Sequence, residues 1–325
     1  MIPLRLAFFG TPEIAVPTLE RLLGSRHPVV GVVSQPDRGR GRGRKTSPSP
    51  VAEVALRAGR PLLRPERVGA PDCVEAMRAW RADLGVVVAF GQFLPKAVRE
   101  LPTRGYLINA HASLLPRHRG AAPIARAILE GDAETGISIM KIEKEMDAGP
   151  VAAVARTPID PHENTAELST RLAVIAAELI LGVVDAIAEE RVVWVEQDAA
   201  RATHAAKIEK SDAVLDLDQP APVLVRRIHA LAPRPGAGVA LVQGNARSEL
   251  KLLRADALPY AVGESPAPGT IERDPGATAL RIASGDGWLV PLEVQRAGGK
   301  PLAIADFLRG FALAADARCE RAEAR

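Results

Sequence analysis

The feature that most constrains this chain is Leu84–Phe90, which reads Leu-Gly-Val-Val-Val-Ala-Phe. Successive side chains of a strand point to opposite faces, so a run without a polar residue on either face needs cover on both sides. Similar short apolar runs precede and follow it. Leu4–Phe9 ends at Gly10, Val29–Val33 reads as a second strand, and Tyr106–Asn109 as another ending in polar residues. Thr135–Ile142 and Val151–Pro158 supply later strands. Between them lie segments of helical spacing. One runs over Glu13–Leu23, with Thr11 placed to cap it and Pro12 at its first position. Asn164–Glu190 is long, alanine-rich and amphipathic, a closing helix.

Strand–helix alternation of this kind predicts an α/β fold with a mostly parallel, Rossmann-like sheet wound on both faces. Ligands of such sheets bind beyond the carboxyl ends of the strands. Phe90-Gly91-Gln92 and Asn109–Pro116 lie at two such ends. After Glu190 the texture changes. Residues 191–209 read as a linker opening with a short strand. Beyond it come Val239–Val242, Leu250–Leu253, Thr270–Ile271, Leu280–Ile282 and Trp288–Val290, punctuated by Gly and Pro, with a last helix over Leu302–Ala315. Short strands at such spacing predict a small β-barrel or sandwich. The domain boundaries expected are therefore 1–190, 191–209 and 210–325.

Composition enters as exclusion. With 47% hydrophobic and 25% charged residues, wholesale disorder is excluded. Cys73 and Cys319 are the only cysteines, which leaves no disulfide scaffold or clustered zinc site and points to a reducing compartment. No 18 uncharged apolar residues occur in a row, and Met1–Arg5 lacks the start of a secretion signal, so the cytoplasm is the expected location. Gly10 is not followed by the glycines of a dinucleotide fingerprint, and the Gly39, Gly41 and Gly43 series opens no phosphate-binding turn. Neither NAD nor a metal is expected.

Two segments carry chemistry. In Asn109–Pro116, Asn109 and His111 alternate and so share one strand face. An amide donor beside a group that titrates near neutral pH suits a reaction in which a carbonyl oxygen becomes an anion and a proton moves. The same pair also serves as an ordinary loop cap. Met146–Pro150 places Asp147 in a turn before a strand, where an aspartate is commonly a turn residue.

These segments do not stand alone. Phe9–Glu13, Gln35–Arg38, Ser47–Val51, Phe90–Pro95, Asn109–Pro116, Arg119–Ile124, Thr135–Met140 leading to Asp147, Thr203–Ile208 and Ile228–Leu231 together resemble the folate-dependent formyltransferase family over nearly the whole chain. The resemblance implies that Asn109, His111 and Asp147 are catalytic. It implies that Ser113, Leu114, Leu115 and Pro116 form a folate-proximal loop, and Phe90, Gly91 and Gln92 are expected to bind the co-substrate beside it. It implies 10-formyltetrahydrofolate as formyl donor, direct amine attack through a tetrahedral oxyanion, and an OB-like second domain. These motifs alone do not separate acceptors: methionyl initiator tRNA, an amino sugar or a purine precursor. A non-catalytic RNA-binding protein on this scaffold and a folate hydrolase are further alternatives. A monomer is expected.

Asp37–Thr46 favours the tRNA. It holds Arg38, Arg40, Arg42, Arg44 and Lys45 against one aspartate, a local charge of +4 in a chain of net +3. Alternating glycine forbids a stable helix and predicts a mobile loop. Guanidinium forks fit phosphate, although a solvated loop without a partner reads the same way. The resemblance implies that a basic insertion here reaches the acceptor end of tRNA, with Arg42 on its important position. From Lys210 onward there are 15 basic and 14 acidic residues, so no basic domain is expected; Arg226, Arg227 and Arg234 are either a tRNA face or ordinary surface.

Overall fold

A computed structural model describes residues 2–40, 45–274, 276 and 278–322. The chain forms two compact units. The first comprises Met1–Pro123, Glu134–Thr157 and Ser169–Ala205; the second comprises Ile124–Ala133, Pro158–Leu168 and Ala206–Arg325.

The first part of the chain alternates as its sequence predicts. Its elements are β1 (Leu6–Gly10), α1 (Val16–Leu23), β2 (Val29–Val33), β3 (Arg38–Arg40), β4 (Lys45–Ser47), α2 (Pro50–Arg57), β5 (Leu62–Leu63), α3 (Pro71–Ala79), β6 (Leu84–Val88), α4 (Lys96–Arg99), β7 (Leu107–His111), β8 (Arg119–Gly120) and α5 (Pro123–Glu130). Then follow β9 (Glu134–Lys141), β10 (Val151–Pro158), α6 (Thr165–Ala188) and β11 (His204–Ala205). Seven strands make one sheet in the order β10-β9-β7-β6-β1-β2-β5. β6 is buried along its full length and lies parallel between β1 and β7. β9 returns antiparallel along β7. Phe9, Val87, Phe90 and Leu107 pack with Met77 of α3 and Val98 of α4 in one apolar cluster. The Phe9 and Phe90 rings meet edge to face at 5.7 Å, a geometry worth about 0.5–1.5 kcal/mol beyond the area it buries.

Three expectations change. Thr11 caps no helix: Glu13–Ala15 is one 3-10 turn, and α1 starts at Val16. The Thr11 hydroxyl instead donates to Phe90 O (3.0 Å) and accepts from Gln35 N–H (3.3 Å). Strand ends converge there, and their unpaired backbone groups capture the hydroxyl. The flanks of the basic segment are not free loop, because β3 and β4 pair antiparallel in the register Arg38↔Ser47, Gly39↔Thr46 and Arg40↔Lys45. The segment after Glu190 opens on a single bridge, Val151↔Val195, rather than a strand, and its short strand, β11, comes near its end. The long helix is close to its expected span. Asn164 caps it, its Oδ1 accepting Ala166 and Glu167 N–H while Glu167 Oε2 accepts Asn164 N–H.

The C-terminal part contains α7 (Ala221–Leu231), β12 (Ala237–Gln243), β13 (Ala246–Pro259), β14 (Ile271–Arg273), β15 (Leu280–Ala283), β16 (Gly287–Arg296), β17 (Pro301–Ala303), α8 (Ile304–Gly310) and β18 (Arg318–Arg321). The strands run β14-β15-β16-β13-β12-β18, with β17 on β16. The two edges meet through a Thr270↔Arg318 bridge and a Cys319 N–H bond to Gly269 O (2.8 Å), so the antiparallel sheet closes into an OB-like barrel. Leu250, Leu252, Ile282, Leu289 and Val294 fill it, covered by Leu224 and Ile228 of α7 and Phe307 of α8. The last helix is shorter than the predicted Leu302–Ala315, because Pro301–Ala303 pairs with β16 instead. Helix α7 is absent from the sequence reading; its buried stripe, Leu224, Ile228 and Leu231, lies among prolines that mask the period. Among the described residues no helix is long and apolar enough to cross a membrane.

Candidate active site

Strand β7 carries the first two groups. Asn109 pairs with Val87 of β6 on one side and Met140 of β9 on the other, and His111 pairs with Ser138. A strand hydrogen-bonded on both sides holds its backbone rigid, and the two-residue spacing puts both side chains on one face. Asn109 is half-buried, and its amide has no hydrogen-bond partner among the described residues. His111 is 6% exposed. Its Nε2 lies 2.8 Å from His118 O. A carbonyl only accepts, so Nε2 carries a hydrogen and Nδ1 is left as the position that gains or loses one. Nδ1 faces Asp147 Oδ2 at 3.6 Å. The His118 carbonyl is itself aimed, since His118 N–H donates to Thr203 Oγ1 at 2.9 Å.

Asp147 has a left-handed backbone, φ +52°. Its Oδ2 accepts Gly120 N–H at 2.9 Å. Gly120 sits on β8, which runs parallel to β11. At φ +122° a Cβ would stand 2.7 Å from Ala205 O, so only glycine lets that N–H turn toward the carboxylate. Behind the turn, Gln197 Nε2 donates to Asp147 O (2.9 Å) and Gly149 O (2.7 Å). Gln197 Oε1 accepts from Arg119 Nε (3.0 Å) and Nη2 (2.8 Å). His111 and Asp147 are thus brought together, with Asn109 on the same strand as the imidazole.

The other expected residues are placed as follows. Ser113 is fully buried and donates to Arg117 O at 2.6 Å. Ser138 Oγ donates to Ser113 O (2.7 Å) and accepts Leu115 N–H (3.1 Å), pinning the Ser113–Pro116 loop. Leu114, Leu115 and Pro116 are half-buried, and the Leu115–Pro116 bond is cis. The Phe90 ring is in the core, while its carbonyl accepts from Thr11 Oγ1 and from Gln35 Nε2 (3.0 Å). Gly91 follows at φ +82°. The Gln92 amide is committed to Val68 N–H (2.9 Å) and Pro65 O (3.0 Å). Arg38, Arg40 and Lys45 lie on β3 and β4, and Arg42 and Arg44 lie outside the described residues. A cavity of about 260 Å³ lined by Phe9, Met77, Val98 and Leu101 is apolar and contains none of these groups.

Sequence reasoning missed Ser138, Thr203, Arg119, Gly120 and Gln197 as site residues. The first four lie in stretches that already carried the resemblance, but as motif letters without a partner. Gln197 sits in the segment read as linker and had no signal.

Residues 4–184 match the family described as formyl transferase, and residues 207–312 match the formyl transferase C-terminal domain. The chain is 41% identical over 325 residues to the methionyl-tRNA formyltransferase of Roseiflexus sp. (strain RS-1), across 100% of this chain and 98% of that protein. It is 45% identical over 310 residues to that of Paracoccus denitrificans (strain Pd 1222), across 95% of this chain and 98% of that protein. In structure it is similar to HypX from Aquifex aeolicus in complex with tetrahydrofolic acid, with a TM-score of 0.62 and 18% identity, over 94% of this chain. It spans 47% of the HypX chain, and this likeness concerns the fold. The fold and the two matched domains define an enzyme of formyl transfer. Within that class, the chain belongs to the methionyl-tRNA formyltransferase family.

Proposed function

We propose that this chain moves the formyl group of 10-formyltetrahydrofolate to the α-amino group of methionyl initiator tRNA by direct amine attack. The observation that carries the reading is the His111 ring, tied at Nε2 to His118 O and open at Nδ1 toward Asp147, on the same strand face as the uncommitted Asn109 amide.

A free α-amino group has a pKa of about 7.7–8.0, so a useful fraction is unprotonated near neutral pH. Its nitrogen attacks the formyl carbon and the carbonyl oxygen becomes an anion. The Asn109 amide, and His111 Nδ1–H when present, donate to that oxygen. Asp147 takes the proton lost by the amine, directly or through water. The bond from the formyl carbon to the folate nitrogen then breaks, and that nitrogen gains a proton. One C–N bond forms, one breaks and one proton changes nitrogens, so the balance calls for no metal, no NAD and no covalent enzyme intermediate.

Ser113–Pro116 and the Phe90–Gln92 backbone line the folate side of this reading. The basic segment supports tRNA contact: Arg42 would reach the acceptor stem, while Arg38, Arg40, Arg44 and Lys45 mainly meet phosphate. Residues 1–190 act as the catalytic domain, 191–209 connect, and 210–325 form the tRNA-contacting domain of a cytoplasmic monomer.

The test is transfer of labelled formyl from 10-formyltetrahydrofolate to methionyl initiator tRNA, run beside uncharged tRNA, an amino sugar and water alone. Label appearing only on the charged tRNA supports the proposal. Label on the sugar, or formate released without tRNA, assigns one of the alternatives. Neutralising all five basic residues of this segment is expected to weaken tRNA binding and flatten its salt dependence; unchanged affinity and slope would remove the segment from the interface.

A further inference from the structure

We infer that Gln197, oriented by Arg119, is a positioning residue for formyl transfer: it fixes the turn that presents the Asp147 carboxylate to His111. The inference rests on the functional reading just given. The amide has only one workable orientation. A guanidinium donates and never accepts, so the atom facing Arg119 Nε and Nη2 is the oxygen. The nitrogen then has two hydrogens, and both are spent, on the carbonyls of Asp147 and Gly149. That grips the backbone on either side of Ala148, the turn in which Asp147 holds φ +52°. A left-handed residue other than glycine persists where its surroundings over-determine it.

The grip and the carboxylate share one support. Arg119 and Gly120 are neighbours on β8. Gly120 N–H holds Asp147 Oδ2 directly, and Arg119 holds the Asp147 backbone through Gln197. The Arg119 side chain is only 12% exposed, and a carboxylate that faces it, Glu145 at 3.7 Å, is 80% exposed. So buried a cation is directed mainly at a neutral amide, which fits the setting of geometry better than the pairing of charge. Gln197 spends both of its donors on this turn, so its influence on the reaction passes through Asp147 and belongs in kcat rather than KM.

Gln197→Glu is the sharp variant. It keeps the shape and the Arg119 partner but removes both N–H donors from the two carbonyls. Steady-state formylation of methionyl initiator tRNA is measured for the wild type, Gln197→Glu, Asp147→Asn and the double variant, with the melting temperature of each. Misplacing a reacting group by about 1 Å costs on the order of 100-fold. The expected loss in kcat is therefore about 30-fold, with each KM within about threefold. In the Asp147→Asn background the same change is expected to cost less than about threefold, because residues acting as a unit are not additive. A folded Gln197→Glu enzyme with kcat near wild type overturns the inference, and so does an equal loss in both backgrounds. If Gln197→Glu does not fold, Arg119→Lys replaces it: losing the fork at Gln197 is expected to lower kcat about fivefold, again absorbed by Asp147→Asn. Loss of KM alone, or additivity, overturns it there too. A wild-type protein that formylates nothing overturns the functional reading and this inference with it.

Discussion

His111 and His229 are both almost sealed from solvent, at 6% and 1% exposure, yet their rings are held in opposite ways. At His111 only Nε2 has a close partner, and Nδ1 stands 3.6 Å from a carboxylate, beyond a normal hydrogen bond. At His229 both nitrogens are committed: Nδ1 donates to Pro161 O at 3.1 Å and Nε2 accepts Ala255 N–H at 3.3 Å. One carbonyl partner fixes the first ring and leaves a proton site open. Two backbone partners tie the second ring into the barrel unit and leave it nothing to exchange. Burial alone does not separate the two rings; the uncommitted nitrogen does.

The hardest test of that distinction is rate against stability. Asn109→Ala and His111→Ala are each expected to lower single-turnover formylation about 10²–10³-fold, the usual cost of about 2.7–4 kcal/mol for losing a donor to a developing oxyanion, and Asp147→Asn about 10²–10⁴-fold, the usual worth of a general base. Saturating substrates separate this from binding, and near-wild-type rates in all three would sink the assignment. His229→Ala is expected to do the reverse. It leaves Pro161 O and Ala255 N–H unpaired beside a cavity, costing about 3 kcal/mol of unfolding free energy in a urea titration. Its activity per folded molecule should stay within about twofold, since buried backbone partners, not substrate, are what it loses. Intact stability, or a rate loss matching that of His111→Ala, would erase the contrast.

Ser138 lies between the two cases. It is fully buried, and both its bonds hold the Ser113–Pro116 loop. Ser138→Ala is expected to cost about 1 kcal/mol of stability, the typical net worth of a hydrogen bond. It should raise KM for the folate donor several-fold while kcat changes less. A kcat loss with unchanged KM would place Ser138 with the reacting groups instead.

The contrast also explains what was readable beforehand. The sheet was legible because unbroken apolar runs such as Leu84–Phe90 permit few folds. The expectation for Asn109, His111 and Asp147 rested on side-chain type joined to a resemblance, and the fold brings His111 and Asp147 within 3.6 Å of each other. The groups that hold them were not legible, because two are backbone atoms, seven residues from His111 and 27 from Asp147. His118 O and Gly120 N–H have no letter of their own. Thr11 misled for the same reason: its hydroxyl answers to Phe90 O, about eighty residues away, rather than to the helix beside it. Gln197 belongs to no regular element, and a polar residue in such a segment looks like solvent-facing linker until its four hydrogen bonds are counted.

The smallest expected effect is in the pH dependence of stability. Burial pushes the His229 pKa below its ordinary 6.5; the bond to Pro161 O and the charge of Asp256 oppose this, while Arg254 and His162 add to it. Below pH 6.5 the unfolded chain therefore binds a proton that the folded chain refuses. The unfolding free energy falls as pH drops from 6.5 toward the lowered folded value and levels off below it, with a slope no steeper than about 1.4 kcal/mol per pH unit for one proton. His229→Gln cannot titrate, so subtracting its stability curve from that of the wild type between pH 7.5 and 5, a range chosen to bracket the ordinary pKa of about 6.5, should leave this slope alone. The difference should retain its sign whether or not tRNA is bound, because the ring's partners are Pro161 and Ala255. A difference curve that is flat, or that rises toward acid, would mean His229 keeps a nitrogen open as His111 does.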